Sequence, residues 1–131
     1  MGMYTEFVFG CSIKVDAPQE VISILRGLMW SGDDIPQTTP CHDFFKCARW
    51  KYIATSSSAY FGFSESNSCF KNTSCGMVLS IRSSIKNYDG EIEKFVDWIM
   101  PYVESGSGQD DFLGYKLYEE SEIPILFYKS R

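Results

Sequence analysis

Apolar and polar residues alternate near the start of the chain. In residues 4–15, YTEFVFGCSIKV, one face carries Phe7, Phe9, Cys11 and Ile13. The other face carries Glu6, Val8, Ser12 and Lys14. A period of two residues is typical of a strand with one buried face. We therefore predict a first strand here, with the phenylalanines turned towards the core.

The spacing becomes helical in residues 16–30, DAPQEVISILRGLMW. The apolar stripe consists of Val21, Ile24, Leu25 and Leu28. Intervals of three and four residues are typical of an amphipathic helix. Asp16 can cap its first amides, and Pro18 suits its first turn. Trp30 falls on the polar side, where two interpretations stay open: it contacts a binding partner, or it folds back under the following loop.

Strand composition recurs between residues 50 and 85. We predict strands in residues 50–56 (WKYIATS), 59–64 (AYFGFS) and 76–85 (GMVLSIRSSI), because β-branched and aromatic residues are concentrated there. In the last of these segments, Met77, Leu79, Ile81 and Ile85 alternate with Ser80, Arg82, Ser84 and Lys86. Ser, Asn and Gly between the segments indicate turns, so the strands are expected to be antiparallel.

The clearest helical pattern lies in residues 87–103, NYDGEIEKFVDWIMPYV. Its apolar positions are Ile92, Phe95, Val96, Ile99, Tyr102 and Val103. Asn87 or Asp89 can cap this helix, and Pro101 should kink or end it. Residues 112–120 and 123–130 then predict a closing hairpin. The whole order predicts one α+β domain over residues 1–131, a two-layer sandwich with two main helices on one face of a mostly antiparallel sheet, with a ferredoxin-like variant as its topology.

Composition and charge narrow the classes of function. The chain has 131 residues, of which 44% are hydrophobic, so it can bury a core without disulfides. Its net charge of −5 disfavours nonspecific binding to nucleic acid. We see no apolar run of membrane-spanning length and no signal-peptide pattern, and we expect a cytoplasmic protein that does not bind membranes.

The segment CHDFFKC, residues 41–47, contains the only histidine of the chain. Zinc ligands usually come in pairs two to four residues apart, whereas five residues separate Cys41 from Cys47. Adjacent residues of an extended segment point to opposite faces, which disfavours a nucleophilic pair of Cys41 and His42. We therefore predict a core loop and neither a metal nor a cofactor. An enzyme that uses Cys41 or His42 is kept as an alternative.

Other charged and aromatic residues suggest binding surfaces. The paired acids, such as Asp33–Asp34 and Glu119–Glu120, are typical of solvated faces, and together they can attract a basic partner. On the sheet face away from the helices, Lys14, Arg82 and Lys86 can meet some of Tyr115, Tyr118 and Tyr128. Such a mixture suits a nucleobase and a phosphate, although a solvated face or a dimer surface has the same composition. The candidate binding residues are Trp30, Arg82, Lys86, Tyr115 and Tyr118.

Three segments, MYTEFVFG, IKNYDGEIEKFVDWIMPYV and GYKLYEESEIPILFY, together resemble a family of small uncharacterised proteins encoded in bacteriophages and prophages. The resemblance implies an inhibitor, decoy or sponge that acts against host machinery or antiviral defence. We expect a non-enzymatic inhibitor that binds a host protein through an acidic surface. The alternative is a sponge that sequesters a small nucleotide signal on the Tyr, Arg and Lys sheet face. A homodimer formed through a sheet edge or face is a further expectation.

Overall fold

Five strands and two α-helices build the protein. The structure is a computed structural model, which describes residues 3–30, 35, 38–58, 66–74, 76–105 and 111–129. In chain order, the strands and helices are β1 (Thr5–Ile13), α1 (Gln19–Leu28), β2 (Cys69–Thr73), β3 (Gly76–Ile85), α2 (Glu91–Ile99), β4 (Asp111–Tyr118) and β5 (Ile125–Lys129). Short 3-10 helices cover Asp43–Lys46, Trp50–Tyr52 and Met100–Tyr102. The predicted α+β class is confirmed.

The strands form one sheet in the order β2-β3-β1-β4-β5, and every neighbouring pair is antiparallel. The first six elements follow the β-α-β-β-α-β order of the ferredoxin-like motif, and β5 is added beside β4. The ferredoxin-like topology itself stays a prediction. Because β1 lies in the middle of the sheet, its side chains have a neighbouring strand on each side.

One face of the sheet and both helices share a single core. Phe7 pairs with Ser83 and Phe9 with Ile81, so the phenylalanines lie on the same face as the apolar residues of β3. The ring of Phe95, from α2, lies 5.9 Å from that of Phe7 and 6.0 Å from that of Phe9, edge to face in both cases. All four predicted stripe residues of α1 are buried in the same core.

The ends of the helices only partly follow the predictions. No side chain caps α1, so the prediction for Asp16 is wrong: the helix begins after Pro18, and the Pro18 carbonyl accepts from the amides of Val21 and Ile22. The side chain of Asn87 does bind an amide in the first turn of α2, because its Oδ1 accepts from the Ile92 amide at 2.8 Å. As predicted from Pro101, α2 ends at Ile99 and the chain continues as a 3-10 turn.

The middle of the chain contains the main errors of the sequence prediction. Residues 50–56 are not a strand, because Trp50–Tyr52 forms a 3-10 helix and Trp50 packs against Phe45 at 4.9 Å between ring centroids. The strand predicted at residues 59–64 lies outside the described residues. The predicted strand at 76–85 is confirmed as β3. No pattern in residues 69–73 predicted β2, a mostly exposed strand at one edge that pairs with β3.

A buried carboxylate joins the segment before residue 52 to α2. Glu91 is 0% exposed, and its two oxygens accept from the amides of Asp89 at 3.0 Å and Arg49 at 3.2 Å. The neighbouring Asp89 carboxylate accepts from the Ala48 amide at 2.9 Å. Because backbone amides outside the helix bind these acids, the start of α2 and the 3-10 segment are fixed to each other.

Candidate functional site

The predicted binding face of the sheet contains a buried carboxylate. Glu6 lies on the face of β1 away from the helices, yet it is only 6% exposed. The Tyr115 hydroxyl donates to Glu6 Oε1 at 2.9 Å, and Arg82 Nη2 donates to Oε2 at 3.3 Å. The strand register explains this contact, because Arg82 and Tyr115 both pair with Val8, two residues from Glu6. The guanidinium expected to meet a ligand therefore binds a carboxylate of its own chain.

The protonation of Tyr115 fits the role of a hydrogen-bond donor. Desolvation by burial raises the pKa of its phenol, and so do the hydrogen bond to Glu6 and the negative charge of Glu6. The positive charge of Arg82 acts in the opposite direction, but the pKa remains above its ordinary value. Tyr115 therefore keeps its proton at neutral pH and holds the Glu6 carboxylate.

The structure does not bring the other predicted residues to this pair. Tyr118 pairs with Thr5 and so lies on the helix side of the sheet, where it lines a cavity of about 300 Å³ with Tyr88, Lys116 and Ile125. Lys86 directs its Nζ over the Tyr4 ring, 5.7 Å from the centroid. The predicted cluster is thus divided: Arg82 and Tyr115 share a site, whereas Tyr118 lies on the other face.

Trp30 lies away from Arg82 and Tyr115, next to the edge of the sheet that β2 forms. Its side chain is 69% exposed. Most of the loop under which it could fold, residues 31–34 and 36–37, lies outside the described residues, so that interpretation stays a prediction. It lines a wide depression of about 760 Å³ together with Arg26 of α1 and Phe70 of β2. This position leaves Trp30 able to contact a partner, although no other predicted binding residue lies beside it.

His42, in the segment CHDFFKC, uses both of its ring nitrogens in contacts with described residues. Nδ1 accepts from the Phe44 amide at 3.1 Å and so caps the first 3-10 helix. Nε2 lies 3.0 Å from Asp97 Oδ2, and it carries the ring proton because Nδ1 is the acceptor. Both nitrogens are therefore engaged in hydrogen bonds. The Phe44 ring is buried, 5.4 Å from that of Phe95.

The cysteines of the described residues are free thiols. Cys47 is buried, and its thiol donates to the carbonyls of Asp43 and Asp89 at 3.7 and 3.6 Å. Desolvation by burial raises the pKa of Cys47 and raises that of Cys11 to about 12, which disfavours the thiolate in both. Cys41 is exposed. Within the described part of the chain, no three His, Cys, Asp or Glu side chains gather as a metal site.

A hydrogen-bonded carboxylate lies beside the Tyr118 cavity. Glu93 accepts from Lys116 Nζ at 2.9 Å and from Asn87 Nδ2 at 2.6 Å. Desolvation by burial raises the pKa of Glu93, but the hydrogen bonds from Asn87 and Lys116 lower it by more than burial raises it. The pKa therefore lies below its ordinary value of 4.5. Glu93 therefore favours the folded state only while it is ionised.

This shift predicts a pH-dependent effect of Glu93→Gln. A carboxyl with a lowered folded-state pKa stabilises the fold above its ordinary pKa, and the contribution disappears as the pH falls through the lower value. Because 44% of the side chain is exposed, we expect Glu93→Gln to lower the free energy of unfolding by only about 0.5–1 kcal/mol near neutral pH. The loss should shrink as the pH falls below the ordinary pKa and vanish once the carboxyl is protonated in the folded state as well. Urea unfolding at neutral pH and at successively lower pH measures it, with the exposed Glu104→Gln as control; a loss that is the same at every pH would contradict the assignment.

The β4–β5 hairpin exposes an apolar surface that the sequence analysis did not predict. We call it the hairpin surface; it consists of Phe112, Ile123, Ile125, Leu126 and Tyr128, which are 47% to 77% exposed. The rings of Phe112 and Tyr128 pack against each other across the two strands, 5.5 Å apart. The turn between the strands carries Glu119, Glu120 and Glu122. The hairpin surface is therefore apolar with an acidic end.

Comparison of the chain with protein-family models, curated proteins and solved structures gives no match. Among the helices of the described ranges, none combines the length and the apolar character that crossing a bilayer requires.

Proposed function

We propose that this protein is a non-enzymatic inhibitor that binds a host protein through the hairpin surface. The observation that carries the proposal is the clustering of five large exposed apolar side chains on one hairpin. Three of them, Phe112, Leu126 and Tyr128, share the face away from the helices, and exposed apolar patches mark interaction sites in soluble proteins. The resemblance to proteins encoded in phages and prophages makes a component of host machinery or antiviral defence the proposed target.

The acidic residues at the end of the hairpin surface favour a partner that carries basic residues. Burial of a large apolar side chain contributes about 1.5–3 kcal/mol, so a few residues of this surface can supply most of the affinity. Glu120 and Glu122 are exposed in the turn, and charges at the rim of an interface mainly steer the encounter and select the partner. The proposed target therefore presents an apolar patch with Lys or Arg beside it.

The nucleotide sponge is the second candidate, and Arg82 with Tyr115 is the observation that favours it. A phosphate that takes the Nη2 donor of Arg82 has to displace Glu6, which is buried and paired. Leaving a buried carboxylate without its cation is strongly unfavourable. The contacts of Glu6 therefore support the protein-binding function over the sponge. Cys41 and His42 give little support to an enzyme, since both nitrogens of His42 are engaged.

Site-specific photo-crosslinking tests the proposed function. A benzophenone amino acid replaces Leu126 on the hairpin surface or, as matched control, Lys71 on the exposed β2 edge. In bacterial cells we expect an adduct of one defined mass from position 126 and none from position 71. An excess of unlabelled protein should compete for it, but an excess of Leu126→Lys should not. Equal adducts at both positions, or none at position 126, would contradict the proposal.

Native mass spectrometry of the same protein separates the second candidate. A bound mass of nucleotide size that persists in Leu126→Lys and disappears in Arg82→Ala would favour the sponge. If the hairpin surface is the site, the partner mass disappears in Leu126→Lys and persists in Arg82→Ala.

A further inference from the structure

We propose that the outer edge of β5 binds an extended basic segment of the partner as an additional strand of the sheet. This inference rests on the proposed function, since it states how the hairpin surface would bind its target. The partner chemistry is an extended peptide with apolar side chains and a Lys or Arg next to the hairpin turn.

The position of β5 provides the first argument. It is the last strand of the sheet, and only β4 pairs with it. Among the described residues, no backbone hydrogen bond is formed on the outer side of β5. In a strand, alternate residues direct their N–H and C=O groups to the same side, so a terminal strand offers a row of groups to a further strand.

The two edges of the sheet differ in the features that prevent such pairing. Edge strands are usually protected by charged or polar side chains and by proline. At the opposite edge, β2 has the sequence CFKNT, whereas β5 reads ILFYK. The only charge of β5 is Lys129, and its Nζ donates to the Met100 carbonyl at 2.9 Å. Pro124 lies just before the strand, so within residues 125–129 only Lys129, at the end away from the turn, is of a protecting kind.

The side chains of β5 can hold an added strand on both faces of the sheet. Leu126 pairs with Tyr115, which places Leu126 and Tyr128 on the face away from the helices. Ile125 pairs with Lys116 and lies on the helix side, where it lines the Tyr118 cavity. An incoming strand therefore meets exposed apolar residues on each face, and alternate side chains on that strand give specificity.

The acidic residues near this edge favour a basic peptide over a second copy of this chain as the added strand. Glu120 and Glu122 are exposed at the turn end of β5, and the one cation of the strand is bound to Met100. A basic residue in the incoming segment compensates these acids. A second copy of this chain fits less well, because each copy carries a net charge of −5 and like net charges disfavour association.

Hydrogen exchange with a defined peptide tests the proposal. The probe is the peptide Lys-Val-Thr-Val-Thr-Val-Lys with blocked ends, and the readout is amide exchange in residues 125–129, with β2 as internal control. We expect the bound peptide to slow exchange at the outer amides of β5 by about tenfold or more, and to leave β2 unchanged. Leu126→Lys should weaken peptide binding about tenfold, and Lys71→Ala should not.

A second peptide, N-methylated at every internal amide, keeps the side chains but cannot form a strand ladder. We expect it to bind at least about tenfold more weakly. Equal binding of both peptides would overturn strand addition but leave the proposed function intact, because the crosslink from position 126 does not depend on backbone pairing. Absence of any protection of β5 also overturns the inference. Protection of β5 that rises with protein concentration without peptide would show that a second copy is the occupant.

Discussion

Replacing Gly114 with alanine should lower the free energy of unfolding by at least about 3 kcal/mol. Gly114 lies in β4 at a register shift, with φ of +155°, where it pairs with Phe9 of the central strand. A Cβ at this position would lie 1.9 Å from the Val8 carbonyl oxygen and 2.8 Å from Phe9 Cα. Both atoms belong to the backbone of β1, so no side-chain rotation relieves the contact, and β1 and β4 must separate locally.

Gly10→Ala is the matched control for this substitution. Gly10 also lies in the central part of the sheet, but the nearest heavy atom to an added Cβ is the Leu79 carbonyl oxygen at 3.9 Å. We expect its free energy of unfolding to change by less than about 1 kcal/mol. Urea unfolding followed by circular dichroism measures both variants. A Gly114→Ala protein as stable as Gly10→Ala would show that β4 does not approach β1 as closely as described.

The second large effect is expected from Glu91→Gln. Its carboxylate is fully buried, and each oxygen accepts from a backbone amide, those of Asp89 and Arg49. Glutamine supplies one acceptor oxygen and one NH₂ group, so one of the two amides faces a donor. A buried amide without an acceptor, together with the loss of a charge-assisted hydrogen bond, should lower the free energy of unfolding by about 2–4 kcal/mol.

Asp97→Asn provides the comparison for Glu91→Gln on the same helix. The Asp97 side chain is 81% exposed and contacts His42, so its change should lower the free energy of unfolding by less than about 1 kcal/mol. Hydrogen exchange adds a local readout, because only Glu91→Gln should accelerate exchange at the Arg49 amide. Equal losses of stability in the two variants, with no change at Arg49, would contradict the proposed role of Glu91.

The spacing of apolar residues correctly predicted the helices and strands whose side chains pack on the shared core. The stripes of α1 and α2 and the alternation in β3 are confirmed, because burial on one face selects apolar residues at the spacing of each element. The error at Trp50–Tyr52 has a different cause. Aromatic residues favour strands on average, but Trp50 packs on Phe45 in a 3-10 turn. The edge strand β2 is mostly exposed, so it shows no alternation that a sequence could reveal.

The candidate sites were less predictable than the fold. Tyr115 and Tyr118 are three positions apart, and a period of two already places them on opposite faces, so this separation could have been read from the sequence. The burial of Glu6 could not have been predicted from the sequence. Alternation places Glu6 on the face away from the core but does not reveal its contacts with Arg82 and Tyr115. The exposure of β5 also has no local signal, since ILFYK would suit a buried strand equally well.

The contact between Glu6 and Arg82 also limits which anions the sheet can bind. Glu6 belongs to the same chain as the guanidinium, so it competes for the Nη2 donor of Arg82 at any concentration of a free anion. A ligand that takes this donor leaves a buried carboxylate without its cation, so it has to add contacts of its own to displace Glu6.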